Sequence, residues 1–180
     1  MTHLSSRRFS LRLAQRATRA LSAISLALGL AQAPAWALEP GETPVIHGRT
    51  LAGAPFNLSA LRGKVVLVLF WSTDCAVCRD KMPELRANAQ GWRAKPFELV
   101  SVSYDRREQD ARDYENLVAT MVPASPRFSA IWAGHPAYRS NALRPAQLPS
   151  AWLLDKSGQR VEVYTGRIPA EAWDRIADLL

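Results

Sequence analysis

The chain contains two cysteines, which stand three positions apart as Cys75-Ala-Val-Cys78. Cysteine sulfur exchanges disulfides or binds soft metal ions. A structural zinc site needs four ligands, and the sequence offers neither a second cysteine pair nor a histidine pair. A disulfide across so short a loop adds little stability through loop entropy. Chemistry therefore explains the pair better than scaffolding does, with thiol–disulfide exchange favoured and Cu(I) carriage left open.

The position of the pair supports this chemistry. Residues 65–71 form a continuous apolar run, which is typical of a strand buried on both faces. From Cys78 onward, apolar residues recur at helical spacing at positions 78, 82, 85, 89 and 92. Cys75 is therefore predicted at a helix start, where unpaired N–H groups and the helix dipole favour a thiolate. We expect Cys75 to be the nucleophile and Cys78 to resolve the mixed disulfide.

The pattern downstream predicts further strands and helices. Pro83 lies inside the first helix and is expected to kink it. A second strand is expected at 97–102. Asp105 and Glu108 together form a cap-like start for a second helix. The inward face of that helix is predicted to be Ala111, Tyr114, Leu117 and Met121.

The last third of the chain predicts a hairpin and a closing helix. Residues 122–148 contain four prolines and are predicted to be irregular, and Trp132 and Tyr138 within them are candidates for shaping partner choice. Strands at 151–154 and 161–164 flank a turn, and a helix begins at Pro169. Residues 38–57 predict a loose hairpin or extended edge. The predicted class is α/β, with a central mixed sheet flanked by helices.

The N-terminal residues have the pattern of an export signal. Five arginines and no acidic residue occur in the first 20 residues, an uncharged stretch runs to Ala37, and Ala35-Trp36-Ala37 ends it. This pattern predicts a signal peptide at 1–37, which leaves one folded domain at 38–180. The protein is expected in the periplasm or otherwise exported. An uncleaved membrane anchor is the alternative, since the stretch approaches the length of a bilayer span.

The charge balance excludes nucleic acid as an expected partner. The formal net charge is +7, but the five arginines of the N-terminal segment account for most of it and leave +2 for residues 38–180. The remaining basic residues are mixed with acidic ones, as in Asp105-Arg106-Arg107-Glu108, which indicates a solvated face. No nucleic-acid-binding motif is present.

The motifs resemble those of the thioredoxin superfamily, and specifically of its TlpA/ResA-like exported thiol:disulfide oxidoreductases. The matching segments are GKVVLVLFW at 63–71, CAVCR at 75–79, MP at 82–83, LPS at 148–150 and LLDKSG at 153–158. The resemblance covers residues 45–180. It implies that residues 38–180 form a thioredoxin-like domain, in which Pro149 is cis and faces the cysteines. It also implies that the Leu148 backbone pairs with an extended substrate.

Several positions depart from the family pattern. Val77 replaces the proline common before the second cysteine, and Leu69 stands where many thioredoxins have a buried aspartate. Lys81 replaces a frequent glutamate and Asp74 replaces an aromatic residue. A cation at Lys81 would stabilise the thiolate and make the protein more oxidising, whereas Asp74 acts in the opposite direction. The net effect of these two modulating residues stays open.

The aromatic and histidine residues leave further alternatives. Trp71 immediately precedes the site and either lines a substrate groove or packs in the core, and Trp152 is assigned to the core by default. His47 and His135 are isolated in predicted loops and are assigned to the surface or to packing. We therefore expect no metal site and no cofactor, and a monomer.

The resemblance also implies a function. The expected substrates are protein thiols and disulfides, and the expected direction is reduction, fed by a membrane electron donor. Family clients include apocytochrome c thiols and copper-site cysteines before metal insertion. A disulfide-introducing oxidase is the nearest alternative, although family oxidases carry a larger helical insertion before the cis-proline. A non-enzymatic copper carrier or chaperone is the third.

Overall fold

The computed structural model of the protein describes residues 43–123 and 128–180. The predicted signal peptide, residues 1–37, lies outside these residues. Within them, no helix is long and apolar enough to cross a bilayer. The elements in chain order are β1 (Ile46–Arg49), β2 (Pro55–Asn57), a one-turn 3-10 helix (Leu58–Leu61), β3 (Val65–Trp71), α1 (Ala76–Gly91), β4 (Phe97–Ser103), α2 (Glu108–Met121), β5 (Phe128–Trp132), β6 (Arg139–Ser140), β7 (Ser150–Leu154), β8 (Arg160–Thr165) and α3 (Glu171–Leu179).

The central sheet has five strands in the order β5-β4-β3-β7-β8. β4 runs parallel to both β3 and β5, whereas β7 runs antiparallel to β3 and to β8. The sheet is therefore mixed, as predicted. Every residue of β3 and β4 is buried, which accounts for the continuous apolar run at 65–71.

Apolar residues of all three helices pack on the same face of the sheet. Alternate residues of β3, beginning with Val65 and ending with Trp71, share one cluster with Met82 of α1, Val118 of α2 and Ile176 of α3. The intervening residues of β3 face a second cluster with Ile46, Phe56 and Trp152. That second face is covered by a small sheet, in the order β2-β1-β6, and by the 3-10 helix, whose Leu58 belongs to the same cluster.

The predicted C-terminal hairpin and helix are present. β7 and β8 pair antiparallel across the Asp155–Gly158 turn, where Gly158 has a φ of 83° that favours glycine. Helix α3 begins two residues after Pro169 and buries Ala172 and Ile176. The extended edge predicted at 38–57 is the β1–β2 hairpin.

Two predictions for the middle of the chain are wrong. The stretch expected to be irregular contains β5, which pairs in parallel with β4. In α2, Leu117 and Met121 are 58% and 59% exposed, while Glu115 and Val118 are buried in their place. The buried face of α2 therefore differs from the predicted one. It includes the carboxylate of Glu115, which pairs with Arg86 of α1.

Candidate active site

Cys75 and Cys78 form a disulfide at the start of α1, with their Cα atoms 5.2 Å apart. Cys75 is the N-cap residue, in an extended conformation, and its Sγ accepts a hydrogen bond from the Cys78 N–H at 3.1 Å. The predicted position at the helix start is thus confirmed. The Cys78 N–H has no acceptor within the helix and points at the sulfur that is expected to carry negative charge.

The two sulfurs differ in exposure. Cys78 is 1% exposed and belongs to the apolar cluster under α1, whereas Cys75 is partly exposed and lies at the edge of that cluster. The neighbouring Ala76 is exposed, and the Val77 side chain is 37% exposed despite being apolar. Cys75 is therefore the more accessible cysteine of the pair, and Cys78 is covered.

The loop between β3 and α1 is held by the buried carboxylate of Asp105, which the sequence pattern predicted to cap α2. Asp105 is 7% exposed, and its Oδ1 accepts hydrogen bonds from both the N–H and the hydroxyl of Thr73, at 2.7 and 2.6 Å. It does not cap α2. The N-cap residue of that helix is Arg107, which makes no capping bond with its side chain.

Three more contacts support this loop and the first turn of α1. The Cys75 N–H donates to the Ser72 carbonyl at 3.2 Å, and the Arg79 guanidinium donates to the Thr73 carbonyl. The Tyr114 hydroxyl donates to the Arg79 carbonyl at 2.8 Å, so that α2 braces the first turn of α1. Burial raises the pKa of Tyr114 above its usual value, which keeps the hydroxyl a donor at neutral pH. Thr73 and Arg79 were not singled out from sequence.

The Leu148-Pro149 peptide bond is cis, as the resemblance implies. Pro149 is buried, its carbonyl accepts the Gly166 N–H at 2.8 Å, and the following Ser150 pairs with Phe70 near the end of β3. Leu148 is partly buried and packs against the same apolar cluster as Cys75. Among the described residues, its backbone groups form no hydrogen bond. They remain candidates for pairing with substrate.

Trp71 lies in the core and does not line a surface groove. Its side chain is 0% exposed, and its ring centroid is 5.1 Å from that of Tyr114. The indole N–H is buried and has no hydrogen-bond partner among the described residues. Of the two placements left open, the structure shows the core one. The predicted substrate contact of Trp71 is therefore incorrect in this conformation, because the helices α1 and α2 cover it.

Lys81 and Asp74, the two predicted modulating residues, have different surroundings. The Lys81 side chain is 10% exposed, and its ammonium group donates to both carboxylate oxygens of Glu84 at 2.6 and 2.7 Å. Glu84 also accepts the Trp173 indole N–H at 3.1 Å. The hydrogen bond from Lys81 is the main cause that lowers the pKa of Glu84. The charge of Lys81 is therefore directed toward Glu84, while Asp74 is exposed beside Cys75.

The remaining candidates are separate from the cysteines. His47 is exposed, and His135 is partly exposed with its Nδ1 accepting the Ala137 N–H at 3.0 Å. In residues 43–123 and 128–180, no three side chains of histidine, cysteine, aspartate or glutamate are grouped as metal ligands would be. The Trp132 indole donates to the Asp105 carbonyl at 2.9 Å, so it supports the backbone beneath the site.

Comparison with known proteins agrees with this geometry. A sequence profile of the AhpC/TSA family matches residues 31–169. The thiol-disulfide oxidoreductase ResA of Bacillus anthracis is 27% identical over 125 residues, which are 69% of this chain and 68% of ResA. The thioredoxin-like protein YneN of Bacillus subtilis is 24% identical over 144 residues, which are 78% of this chain and 79% of YneN.

Solved structures have the same fold. A Chlorobium tepidum structure described as the thiol:disulfide interchange protein DsbE superposes with a TM-score of 0.63 at 26% identity, over 78% of this chain and 96% of that one. The thioredoxin domain of a thiol-disulfide oxidoreductase from Bacteroides vulgatus superposes with a TM-score of 0.61 at 22% identity, over 79% of this chain and 98% of that one. The thioredoxin-like fold predicted from the resemblance is thereby confirmed.

Proposed function

Because the chain belongs to the AhpC/TSA family and is a thiol-disulfide oxidoreductase, we propose that it is exported and reduces disulfides of partner proteins through Cys75 and Cys78. The observation that carries this proposal is the asymmetry of the pair. The outer sulfur is partly exposed and accepts a backbone N–H at the start of α1, whereas the inner one is 1% exposed. Export is supported by the arginine-rich, then uncharged N-terminal sequence.

The reaction begins with the reduced pair. The Cys75 thiolate attacks one sulfur of the partner's disulfide, and the partner's other sulfur leaves as a thiolate that takes a proton from water. Cys78 then loses its proton and attacks the Cys75 sulfur, so the partner's second sulfur leaves as a thiolate. The partner is reduced by two electrons, and the Cys75–Cys78 disulfide remains on this chain.

Proton transfer to and from Cys78 relies on water in this account. Leu69 stands where many thioredoxins have a buried aspartate, and it is 1% exposed in the apolar cluster that also contains Cys78. The leucine offers no proton acceptor. Deprotonation of Cys78 therefore takes place only once solvent reaches it, after the mixed disulfide has formed at Cys75.

The direction of the reaction is proposed from the resemblance to TlpA/ResA-like reductases. A membrane electron donor would reduce the Cys75–Cys78 disulfide by the reverse exchange. The client would be an apocytochrome c or a copper-site protein whose cysteines must be kept reduced. The short connection before Pro149 supports this over an oxidase, since its described residues, 128–148, contain only β5 and β6 and no helix.

The reduction potential of the Cys75–Cys78 couple tests the proposal. We expect equilibration with glutathione or dithiothreitol to give a value closer to that of thioredoxin, about −270 mV, than to that of DsbA, about −120 mV. The Cys75→Ser variant is the control, since it must show no two-electron couple. A potential near the DsbA value would replace the reductant with an oxidase, and a wild-type protein without any couple would contradict redox function altogether.

A further inference from the structure

The Asp105 carboxylate accepts hydrogen bonds both from the loop between β3 and α1, which we call the active-site loop, and from β4. Its Oδ1 accepts the Thr73 N–H and hydroxyl at 2.7 and 2.6 Å, and its Oδ2 accepts the Ser103 hydroxyl at 2.7 Å. The Asp105 N–H donates back to the same Ser103 oxygen at 3.1 Å. A carboxylate that is 7% exposed is thus provided with several donors, two of them from one residue of the loop.

Thr73 is held from two sides as a result. On one side both of its donors bind Asp105, which follows β4 directly. On the other side its carbonyl accepts the Arg79 guanidinium from the first turns of α1. Only Asp74 separates Thr73 from Cys75, so the position of Thr73 limits where the N-cap residue of α1 can lie.

The backbone of Asp105 is itself fixed. Its carbonyl accepts the Trp132 indole N–H at 2.9 Å, and the preceding Tyr104 N–H donates to the Trp71 carbonyl at 2.8 Å. These bonds join Asp105 to β5 and to the end of β3. The carboxylate is therefore a fixed point of the sheet from which the loop is held.

We infer that Asp105 is a positioning residue that sets the reactivity of Cys75 by holding Thr73. The inference rests on the proposed function, in which Cys75 is the nucleophile. In the oxidised protein the covalent bond to Cys78 also keeps Cys75 in place. In the reduced protein that bond is gone, and the hydrogen bonds at Thr73 act together with the backbone bonds of Cys75 to Ser72 and Arg79 to keep the sulfur where the first turn of α1 can donate to it.

Removal of the Asp105 carboxylate has two consequences, which would shift the thiol pKa of Cys75 in opposite directions. A negative charge near Cys75 disfavours the thiolate, so its removal alone would lower the thiol pKa. If the loop is no longer held in place, the sulfur moves away from the N–H donors at the start of α1, which would raise the thiol pKa. The other charged groups near Cys75 are the same in every variant below, namely Asp74, Arg79, Asp80 with its partner Arg167, and Lys81 with its partner Glu84.

The test is the pH dependence of iodoacetamide alkylation in reduced protein, measured in a Cys78→Ser background so that one thiol reacts. Asp105→Ala is expected to raise the midpoint of the rate profile by about one pH unit, a roughly tenfold loss of thiolate below the midpoint. Asp105→Asn retains the oxygen that binds Thr73 but not the charge, and is expected to leave the midpoint unchanged or lower. A lowered midpoint in both variants, or no rise in Asp105→Ala, would overturn the inference.

A matched control comes from a similar turn at the other end of the sheet. Asp155 Oδ1 accepts the Ser157 N–H and hydroxyl and the Gln159 N–H, at 2.9, 2.6 and 3.0 Å. It follows Leu154, which pairs with Val66 at the start of β3, far along the strand from Trp71. Asp155→Ala removes comparable hydrogen bonds and is expected to leave the alkylation midpoint where it is.

A second variant covers the case in which Asp105→Ala does not fold, as judged by circular dichroism. Thr73→Val removes one donor and keeps the carboxylate, so a smaller rise in the same direction is expected, and no rise would also overturn the inference. The outcomes separate the two proposals. A wild-type midpoint at the ordinary thiol value of about 8.5 contradicts the nucleophile assignment itself, whereas a low midpoint that Asp105 does not affect contradicts only the positioning role.

Discussion

The Cys75 sulfur has two stabilising features that follow from its place at the start of α1. It accepts a hydrogen bond from the Cys78 N–H at 3.1 Å. It also lies at the N-terminus of a 16-residue helix, where the helix dipole favours negative charge. Its partial exposure allows exchange with another protein. The sequence was sufficient to predict these features, because a continuous apolar strand followed directly by a helical apolar period defines where the helix begins.

Charged residues near the site could not be placed from sequence to the same degree. Lys81 is expected to act on the cysteines, and the structure adds a contact of its ammonium group with the Glu84 carboxylate that the sequence did not single out. Asp105 was expected to cap α2, yet it binds Thr73. In both cases the residue type and spacing allow two partners, and only the packing of neighbouring elements decides between them.

The Lys81–Glu84 pair leads to a prediction about acid stability. Because the folded-state pKa of Glu84 is lowered, its contribution is present above the unfolded value near 4.5 and is lost as the pH falls through the folded pKa. Glu84→Gln is expected to cost less than about 1 kcal/mol at neutral pH, since the Glu84 side chain is 48% exposed, and nothing in strong acid. Urea unfolding of both proteins from pH 7 to pH 3 measures the difference.

The control for this prediction is Asp178→Asn. Asp178 is an exposed carboxylate near the end of α3, without an ion-pair partner in the described part of the chain. Its substitution should not reproduce a difference that closes as the pH falls. If the Glu84→Gln protein kept the same deficit at pH 3 as at pH 7, the ion pair with Lys81 would not be its cause.

At the scale of elements, α1 and α2 are joined by a buried ion pair between Arg86 and Glu115. The two side chains are 2% and 11% exposed, and the Arg86 guanidinium also lies 4.6 Å from the centre of the Phe128 ring. Burial lowers the pKa of Arg86 from its usual value, although an arginine stays charged at physiological pH. The pair explains why Glu115 is buried at the position where an apolar residue was expected.

Removal of one member of this pair should be costly. Glu115→Gln leaves the Arg86 charge buried without its counter-charge, and we expect a loss of about 3–5 kcal/mol in the free energy of unfolding. Replacing both residues, as Arg86→Met with Glu115→Leu, should recover most of that loss because no charge remains buried. Urea denaturation of the three proteins at pH 7 provides the values.

An exposed pair serves as the matched comparison. Arg167 and Asp80 are 2.8 Å apart with side chains 58% and 63% exposed, so Asp80→Asn is expected to cost no more than about 1 kcal/mol. Equal losses for Asp80→Asn and Glu115→Gln would show that burial of the Arg86–Glu115 pair has no energetic consequence.

The elements that were predicted well are those with a strong periodic signal. Strand β3 has a continuous apolar run, and helix α1 has a sustained helical period. The β7–β8 hairpin has a turn that contains Gly158. Strand β5 has none of these, because it is a five-residue edge strand with mostly half-buried side chains. Its backbone pairs with β4, and the Ala130 carbonyl also accepts the Leu51 N–H at 2.7 Å. The sequence reveals neither of these long-range pairings.

At the scale of the whole molecule, the sheet topology brings distant residues to one end of β3. Parallel pairing with β4 places Ser103, and hence Asp105, beside Trp71, and antiparallel pairing with β7 places Ser150, and hence Pro149, beside Phe70. Ligand sites in open α/β sheets lie at the carboxyl ends of strands. The cysteines, the cis-proline and Asp105 meet at such an end although 26 or more residues separate them along the chain.

This arrangement presents one sulfur of the pair to solvent and covers the other. Ala76 and Val77, which follow Cys75, are exposed, while Cys78 lies with Met82 and Leu85 on the buried face of α1. In the proposed reaction a partner protein therefore reacts first at Cys75. Every later step of the proposed reaction depends on this order.

The most direct measurement is brief treatment of the reduced protein with limiting iodoacetamide. Both cysteines lie in the tryptic peptide 65–79, so fragment-ion mass spectrometry must place the label. We predict that Cys75 is labelled first, and that the preference disappears in urea, where helix and burial are lost. Preferential labelling of Cys78 in the folded protein would contradict this prediction.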